Sequence, residues 1–414
     1  MRIAMLGTRG VPARYGGFET AVEEVGRRLA DRGHRVVVYC RTARAETDRP
    51  ARHLGMELVH LPAAHKRSLE TLSHSALSVG HLLGHRTDAA FVFNAANAPL
   101  LPLLRAARIP VATHVDGLEW KRAKWGPVGQ RYYRAAESMA VRWSDALIAD
   151  AEGIAGYYRH EFGAPTTLLT YGAPLIEPGS DRLAELDLEP GEYHLAVARF
   201  EPENHVDVIV EGYARSGATK PLVVVGSAPY SDEYTARVHA AADDRVRFLG
   251  GVWDQVQLDQ LYANAYTYLH GHSVGGTNPS LLRAIGAGAA VLAYDVDFNR
   301  EVVAEAGRYF GSPSDVARLV EAAEAEPRRV RAAGRRAREL AGGYDWDAVA
   351  TGYEKLATAL ARRNFPTRRP TGRRLPTADR RPVLRAVPAR SDDEVVLPSP
   401  ARPATWEHLP AAQQ

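Results

Sequence analysis

The stretch His270–Gly288 reads HGHSVGGTNPSLLRAIGAG, and the fold turns on it. Thr267–His270 is a short apolar run that reads as a buried strand. A loop with Gly271, Gly275 and Gly276 follows. Asn278 can cap a helix, and Pro279 suits that helix's first position. Strand, glycine loop and capped helix together make a cradle of backbone amides fit for a diphosphate. A plain loop running into a helix has the same pattern, so the context has to decide.

Outward from this stretch the chain repeats the same unit. His194–Ala198, Pro221–Val225, Val246–Leu249, Thr267–His270 and Ala290–Tyr294 read as strands. Helices are expected between them, at Val206–Ala214, Tyr234–Ala242, Gln255–Ala265 and Pro279–Gly286. Pro174–Gly191, rich in Pro, Gly and acidic residues, reads as a linker. Before it lies a second block of strands, Arg2–Leu6, His34–Cys40, Ala89–Phe93, Val111–Val115 and Ala146–Ala149, with a helix expected at Glu19–Asp31. Alternating strands and helices imply α/β architecture with two parallel, doubly wound sheets. The expected organisation is an N-terminal Rossmann-like domain over 1–178, a second over 190–345, a helix over 346–362 and a tail over 363–414. In such sheets ligands sit beyond the carboxyl ends of the strands, here in the cleft between two domains. That pattern alone suits sugar-nucleotide transferases, epimerases, phosphorylases and some binding proteins.

Composition narrows the class. The chain has 414 residues, 45% apolar and 24% charged, as in globular proteins. No apolar run approaches the roughly 20 residues of a membrane-spanning helix. The apolar start reads as a first strand rather than a signal peptide, so a cytoplasmic protein is expected. Cys40 is the single cysteine, which excludes an internal disulfide and a cysteine-clustered metal site. Six histidines fall between His53 and His85, but their spacing fixes no third ligand, and no metal site is expected. The net charge is +3, yet residues 363–414 hold ten Arg, five Asp or Glu and nine Pro. The body is therefore nearly neutral, which gives no reason to invoke nucleic acid, and the tail has the composition of a disordered segment.

Four further segments offer chemistry. Gly7–Thr20 reads GTRGVPARYGGFET, in which Gly16 and Gly17 precede a helix start and could admit an anion or a sugar hydroxyl. Thr113–Trp125 reads THVDGLEWKRAKW and delivers His114 and Asp116 at a strand's carboxyl end. A histidine there could donate to a sugar or leaving group, and its usual pKa suits proton traffic. Ala198–His205 reads ARFEPENH and puts Arg199 at a strand end, where a guanidinium can fork onto phosphate. From Lys121 to Trp143 cations alternate with aromatic rings, as on a surface resting against an anionic bilayer or on an ordinary half-buried helix.

Taken together and in order, GGFE, THVDGLEWKRAKW, RFEPEN and HGHSVGGTNPSLL resemble the retaining family 4 glycosyltransferases of the GT-B fold, over about residues 1–362. Within them the resemblance is closest to a bacterial rhamnosyltransferase-like subgroup of polysaccharide assembly. It implies two Rossmann-like domains facing a cleft, with the last helix crossing back to the first domain. It implies that His114 faces the donor sugar and Arg199 holds the donor diphosphate, with Asp116 beside them among the candidates for the chemistry. Gly16, Gly17, Asn204, Gly250, Val252, Gly275, Gly276, Thr277, Asn278 and Ser280 would contact the donor. Asn204 stands where many relatives carry a lysine. Ser273 and Arg283 stand where relatives carry glutamates. Trp120, Lys121, Arg122, Lys124 and Trp125 are candidates for acceptor or membrane contact. The partners implied are a nucleotide-sugar donor and a glycan or polyprenyl-linked acceptor at the inner face of the plasma membrane, with no metal or other cofactor. The missing glutamates also allow a catalytically weakened homologue acting as a partner in a glycan assembly complex.

Overall fold

The structure, a computed structural model, describes residues 1–13, 16–42, 49–64, 67–115, 117–122, 125–177, 179–226, 232–365 and 370–375. Two sheets organise it. The first holds β1 (Arg2–Leu6), β2 (Arg35–Arg41), β3 (Arg52–His53), β4 (Met56–Leu61), β5 (Ala89–Phe93), β6 (Val111–His114), β7 (Ala146–Ala149) and β8 (Thr167–Leu168). Their order is β3-β4-β2-β1-β5-β6-β7-β8, parallel except for the β3–β4 pair. The second holds β9 (His194–Val197), β10 (Leu222–Val225), β11 (Val246–Gly250), β12 (Thr267–His270), β13 (Val291–Tyr294) and β14 (Arg308–Phe310), in the order β11-β10-β9-β12-β13-β14. All pairs in that sheet are parallel. Both sheets are wound outward from a central strand, so each has a switch point where its order reverses. The chain is thus an α/β protein of two Rossmann-like lobes.

The crossover helices are α1 (Gly17–Asp31), α2 (Arg67–Gly84), α3 (Leu101–Ala106), α4 (Pro127–Trp143) and α5 (Glu152–Phe162) in the first lobe. The second lobe has α6 (Val206–Ala214), α7 (Asp232–Ala240), α8 (Gln255–Ala263), α9 (Pro279–Gly286), α10 (Asp297–Val303), α11 (Pro313–Ala325) and α12 (Pro327–Ala341), and α13 (Trp346–Ala361) ends the series. The strands are near-continuous apolar runs because helices cover both faces of each sheet. β5 is wholly buried, as are β10 and β12. One apolar cluster runs without a break from Ile3 and Phe91 through Tyr171, Trp346 and Tyr353 to Tyr193 and Tyr268. The core therefore spans both lobes.

α13 makes that continuity possible. It leaves the second lobe and lies against α1, where Arg28 pairs with Asp347 at 2.7 Å and Arg32 with Glu354 at 2.9 Å. The His34 ring meets the other Glu354 oxygen at 2.8 Å, and Tyr353 packs edge-on to Phe91. Pro174–Gly191 is not a loose linker: Ile176, Leu183 and Leu188 are buried in the shared core.

The tail differs from its expected character where it is described. Residues 370–375 lie on α4 and α5, and Arg374 is inserted between Glu137 at 2.6 Å and Glu161 at 2.8 Å. Its guanidinium also donates to the Tyr157 hydroxyl and lies over the Phe162 ring, while the Leu375 amide donates to the Glu161 carbonyl. The expectation of disorder for 376–414 lies outside the described residues. Among the described residues no helix is long and apolar enough to cross a membrane.

Candidate active site

The carboxyl ends of β6 and β7 carry the first lobe's share of the site. His114 ends β6, is fully buried, and packs against Phe18, Phe93 and Tyr171, with ring centroids 5.0, 5.5 and 6.2 Å away. Neither ring nitrogen has a hydrogen-bond partner among the described residues. Burial pushes the imidazole pKa down to about 3. This corrects the proton-traffic expectation: the ring is neutral at physiological pH, and what it can offer is one N–H donor and one acceptor. Buried polar atoms without partners are uncommon in native interiors, and here they lie at a strand end where ligands bind. Asp116 lies outside the described residues.

Asp150, which sequence reasoning missed, follows β7. It is nearly fully buried, and burial pushes its carboxyl up to about 7 against the opposing pull of hydrogen bonds to its own backbone and to Tyr171. Tyr171 therefore touches both His114 and Asp150. The rule that singled out His114, a polar residue at the carboxyl end of a buried strand, applies equally to Asp150 after Ala146–Ala149.

The stretch His270–Gly288 meets these strand ends directly. Asn278 caps α9 by accepting from the Ser280 amide at 2.9 Å, with Pro279 first in the helix. Thr277 Oγ1 donates to the Asp150 carbonyl at 2.6 Å. A Cβ on Gly276 would fall 2.0 Å from Asp150 Oδ1, and one on Gly117 would fall 2.2 Å from the Gly275 Cα. The glycine pair thus has a reason that the sequence did not disclose: the two lobes touch there, Gly275 against the Gly117 backbone and Gly276 against the Asp150 carboxyl. Gly17, at the start of α1, lies beside Pro279 and Tyr171. Gly16 adopts φ +111° just before it, and its carbonyl accepts from the Thr20 amide. Gly17, His114, Asp150, Tyr171 and the start of α9 therefore form one constellation.

A second group lies along the same loop. Arg199 follows β9, is partly exposed, and its Nη1 lies 3.5 Å from Glu201 Oε1. Asn204 is buried, and its amide donates to the Arg199 carbonyl at 2.8 Å while its Oδ1 meets His272 Nδ1 at 2.7 Å. Asn204 therefore positions Arg199 and His272 rather than adding charge. The His272 ring is held well below the usual imidazole range by burial and by the nearby Arg122 and Arg199. Ser273 donates both its amide and its hydroxyl to the Glu203 carbonyl, so it braces the loop. Arg283 pairs with Asp259 of α8. Gly250 and Val252 lie at the end of β11, the outer strand on this side, where Gly250 accepts from the Gly226 amide at 2.7 Å. Trp253, beside them, is 72% exposed.

The basic aromatic stretch divides. Lys121 stays exposed, and with Arg134 it flanks the half-buried Trp120 ring. Trp125 is half-buried, donating to Glu119 and packing on Tyr133. Arg122 departs from the expected outward face. It turns into the cleft, paired with Glu119 of its own lobe and with Glu203 of the other at 3.2 Å. Carboxylates from both lobes draw it inward, so as placed it does not face a bilayer. Lys124 lies outside the described residues. Among the described residues no group of three or more His, Cys, Asp or Glu side chains is placed to hold a metal ion.

Comparison with known proteins agrees with this architecture. A family model described as a glycosyl transferase 4-like domain matches residues 16–172, and one described as glycosyl transferases group 1 matches 184–339. A search of curated proteins by sequence found no match. Among solved structures, sucrose-phosphate synthase from Thermosynechococcus elongatus aligns with a TM-score of 0.75 at 20% identity, over 87% of this chain and 98% of that one. The Anabaena protein Alr3699/HepE, solved with UDP and glucose, aligns at 0.70 and 17% identity, over 87% and 100%. WaaG, a glycosyltransferase of lipopolysaccharide biosynthesis, aligns at 0.64 and 20% identity, over 87% and 99%. Two family models that adjoin across most of the chain, on two facing Rossmann-like lobes, make this chain a member of the GT-B glycosyltransferases.

Proposed function

We propose that the chain is a retaining glycosyltransferase that moves a sugar from a nucleoside-diphosphate donor to a hydroxyl of a glycan or lipid-linked acceptor in cell-surface polysaccharide synthesis. On the subgroup resemblance, rhamnose carried on thymidine diphosphate is the donor to test first, and the inner face of the plasma membrane is where a lipid-linked acceptor would be met. The observation that carries the reading is one loop, His270–Asn278, that meets the His114 group at the capped start of α9 and joins the Arg199 backbone through His272 and Asn204. UDP and glucose on the Anabaena neighbour are the ligand chemistry this reading needs.

In the proposed step the bond between the anomeric carbon and the donor phosphate oxygen breaks. The acceptor oxygen bonds to the same face of that carbon, and its proton passes to the departing diphosphate. Negative charge grows on the diphosphate, and Arg199 with the amides at the start of α9 would stabilise it. The neutral His114 N–H would hold a sugar hydroxyl, not relay a proton. Protein cations and amides supply the charge in this reading, with no metal ion of the enzyme's own. Contact between the lobes would exclude water and suppress donor hydrolysis.

The test is incubation of the protein with UDP-, GDP- and dTDP-sugars and a lipid-linked glycan primer, following nucleotide release and the anomeric carbon–proton coupling of the product. Release with inverted configuration would overturn the retaining assignment. Nucleotide binding without release or transfer would favour a second reading, a weakened homologue acting as a partner in an assembly complex. That reading draws on Ser273 and Arg283, which are engaged with Glu203 and Asp259 at positions where relatives carry glutamates.

A further inference from the structure

Two guanidiniums from opposite lobes share one carboxylate. Glu201 has one oxygen 3.5 Å from Arg199 Nη1 and the other 3.8 Å from Arg122 Nη1. Charged hydrogen bonds of this kind normally close to about 2.7–2.9 Å. Glu201 is thus held by charge more than by hydrogen bonding, and its Oε2 has no hydrogen-bond partner among the described residues. Arg122 is mostly buried, with 15% of its side chain exposed, and it also faces Glu203, whose side chain is 3% exposed. Among the described residues, the three carboxylates of Glu119, Glu201 and Glu203 therefore surround these two cations. Asn204, five residues after Arg199, brings no charge to this place, because its amide is committed to Arg199 and His272.

We infer that Arg122, reaching over from the N-terminal lobe, is a second cation for the donor diphosphate, and that phosphate oxygens compete with the Glu201 carboxylate for Arg122 and Arg199. The inference rests on the nucleotide-sugar reading above and adds a residue from the opposite lobe to it. Two features favour the exchange. The carboxylate is loosely held, and phosphate presents more acceptor oxygens to two planar guanidiniums than one carboxylate does. Because Arg122 belongs to the first lobe and Arg199 to the second, a diphosphate held by both would tie the lobes together as it binds.

The test is calorimetric titration of the full chain with UDP, GDP, dTDP and inorganic pyrophosphate, and in parallel with the matching nucleosides and farnesyl diphosphate. Arg122→Gln should weaken the preferred nucleoside diphosphate by roughly ten- to a hundredfold, the size of a lost charged hydrogen bond, and leave the nucleoside unchanged. Arg122→Lys should recover part of the loss, and Glu201→Gln should tighten diphosphate binding several-fold. Should Arg122→Gln fail to fold, the Lys and Glu201 variants carry the same decision. Unchanged diphosphate affinity in Arg122→Gln, or equal losses for nucleoside and diphosphate, would overturn the inference and leave the donor reading standing. A loss confined to farnesyl diphosphate would overturn it too, by assigning Arg122 to a lipid-linked acceptor. If wild-type protein binds none of the three nucleotides, the donor reading itself fails.

Discussion

Burial acts in opposite directions on two residues one strand apart. It pushes His114 down to about 3 and Asp150 up to about 7, because each is driven toward its neutral form. The consequences for stability have opposite signs. Asp150 has a folded pKa above its unfolded value of about 3.9, so its contribution is complete below that value and is lost as pH rises toward 7. His114 contributes fully above its unfolded value of about 6.5 and loses that contribution as pH falls toward 3. Asp150→Asn, a neutral mimic, should therefore raise the melting temperature relative to wild type more at pH 8 than at pH 5. A difference that stays flat with pH would remove the buried carboxyl from this account. For Arg199, replacement by Ala should cut turnover about ten- to a thousandfold, since one charge-stabilising contact is worth about 2–4 kcal/mol. Steady-state kinetics on a variant with wild-type melting behaviour is the check, and unchanged turnover would take Arg199 out of the mechanism. His114 and Arg199 were legible in the sequence because both lie at the carboxyl ends of buried strands. Their protonation and pairing were not, because desolvation and cross-lobe distances have no signature in residue order.

At the level of elements, the decisive piece is the one composition misdescribed. Residues 370–375 look like the start of a Pro- and Arg-rich tail, yet Arg374 joins α4 to α5 through Glu137 and Glu161. Removing that cation strands Glu137, whose side chain is only 5% exposed. Arg374→Ala should then cost on the order of 2–3 kcal/mol, somewhat less than breaking a fully buried pair. Chemical denaturation measures it, and Glu137→Gln in the same chain should restore part of the loss. If Arg374→Ala leaves stability unchanged, the segment is merely lying on the surface. Elsewhere the element boundaries followed local chemistry closely. The start of α9 was readable from Asn278 and Pro279, because cap and proline preferences act within a single turn. β3, β4, β8 and β14 were missed. β8 has two residues and β14 three, too short to show a period, and what makes them strands is a neighbour to pair with.

Over the whole molecule, one contact between the lobes depends on glycines. Gly117 faces the backbone of Gly275, and Gly276 faces Asp150. Gly117→Ala must therefore separate two backbones, since neither can give way like a flexible side chain. Hydrogen exchange should speed up at the amides of 117–119 and 275–278 in that variant, with the amides of β5 and β10 unaffected. Equal exchange in both proteins would mean that the contact does not hold the lobes together. Residue order by itself was enough for the α/β class, the two doubly wound sheets and the strand ends at which ligands would gather, because periodicity, caps and glycine loops are local and a parallel sheet admits few windings. Tertiary structure alone decided that Arg122 turns inward, that Asp150 is buried against Gly276 and Tyr171 and that Arg374 is held between two helices. Each of those depends on groups far apart in the chain, where charge and burial act through space and leave no mark on the spacing of residues.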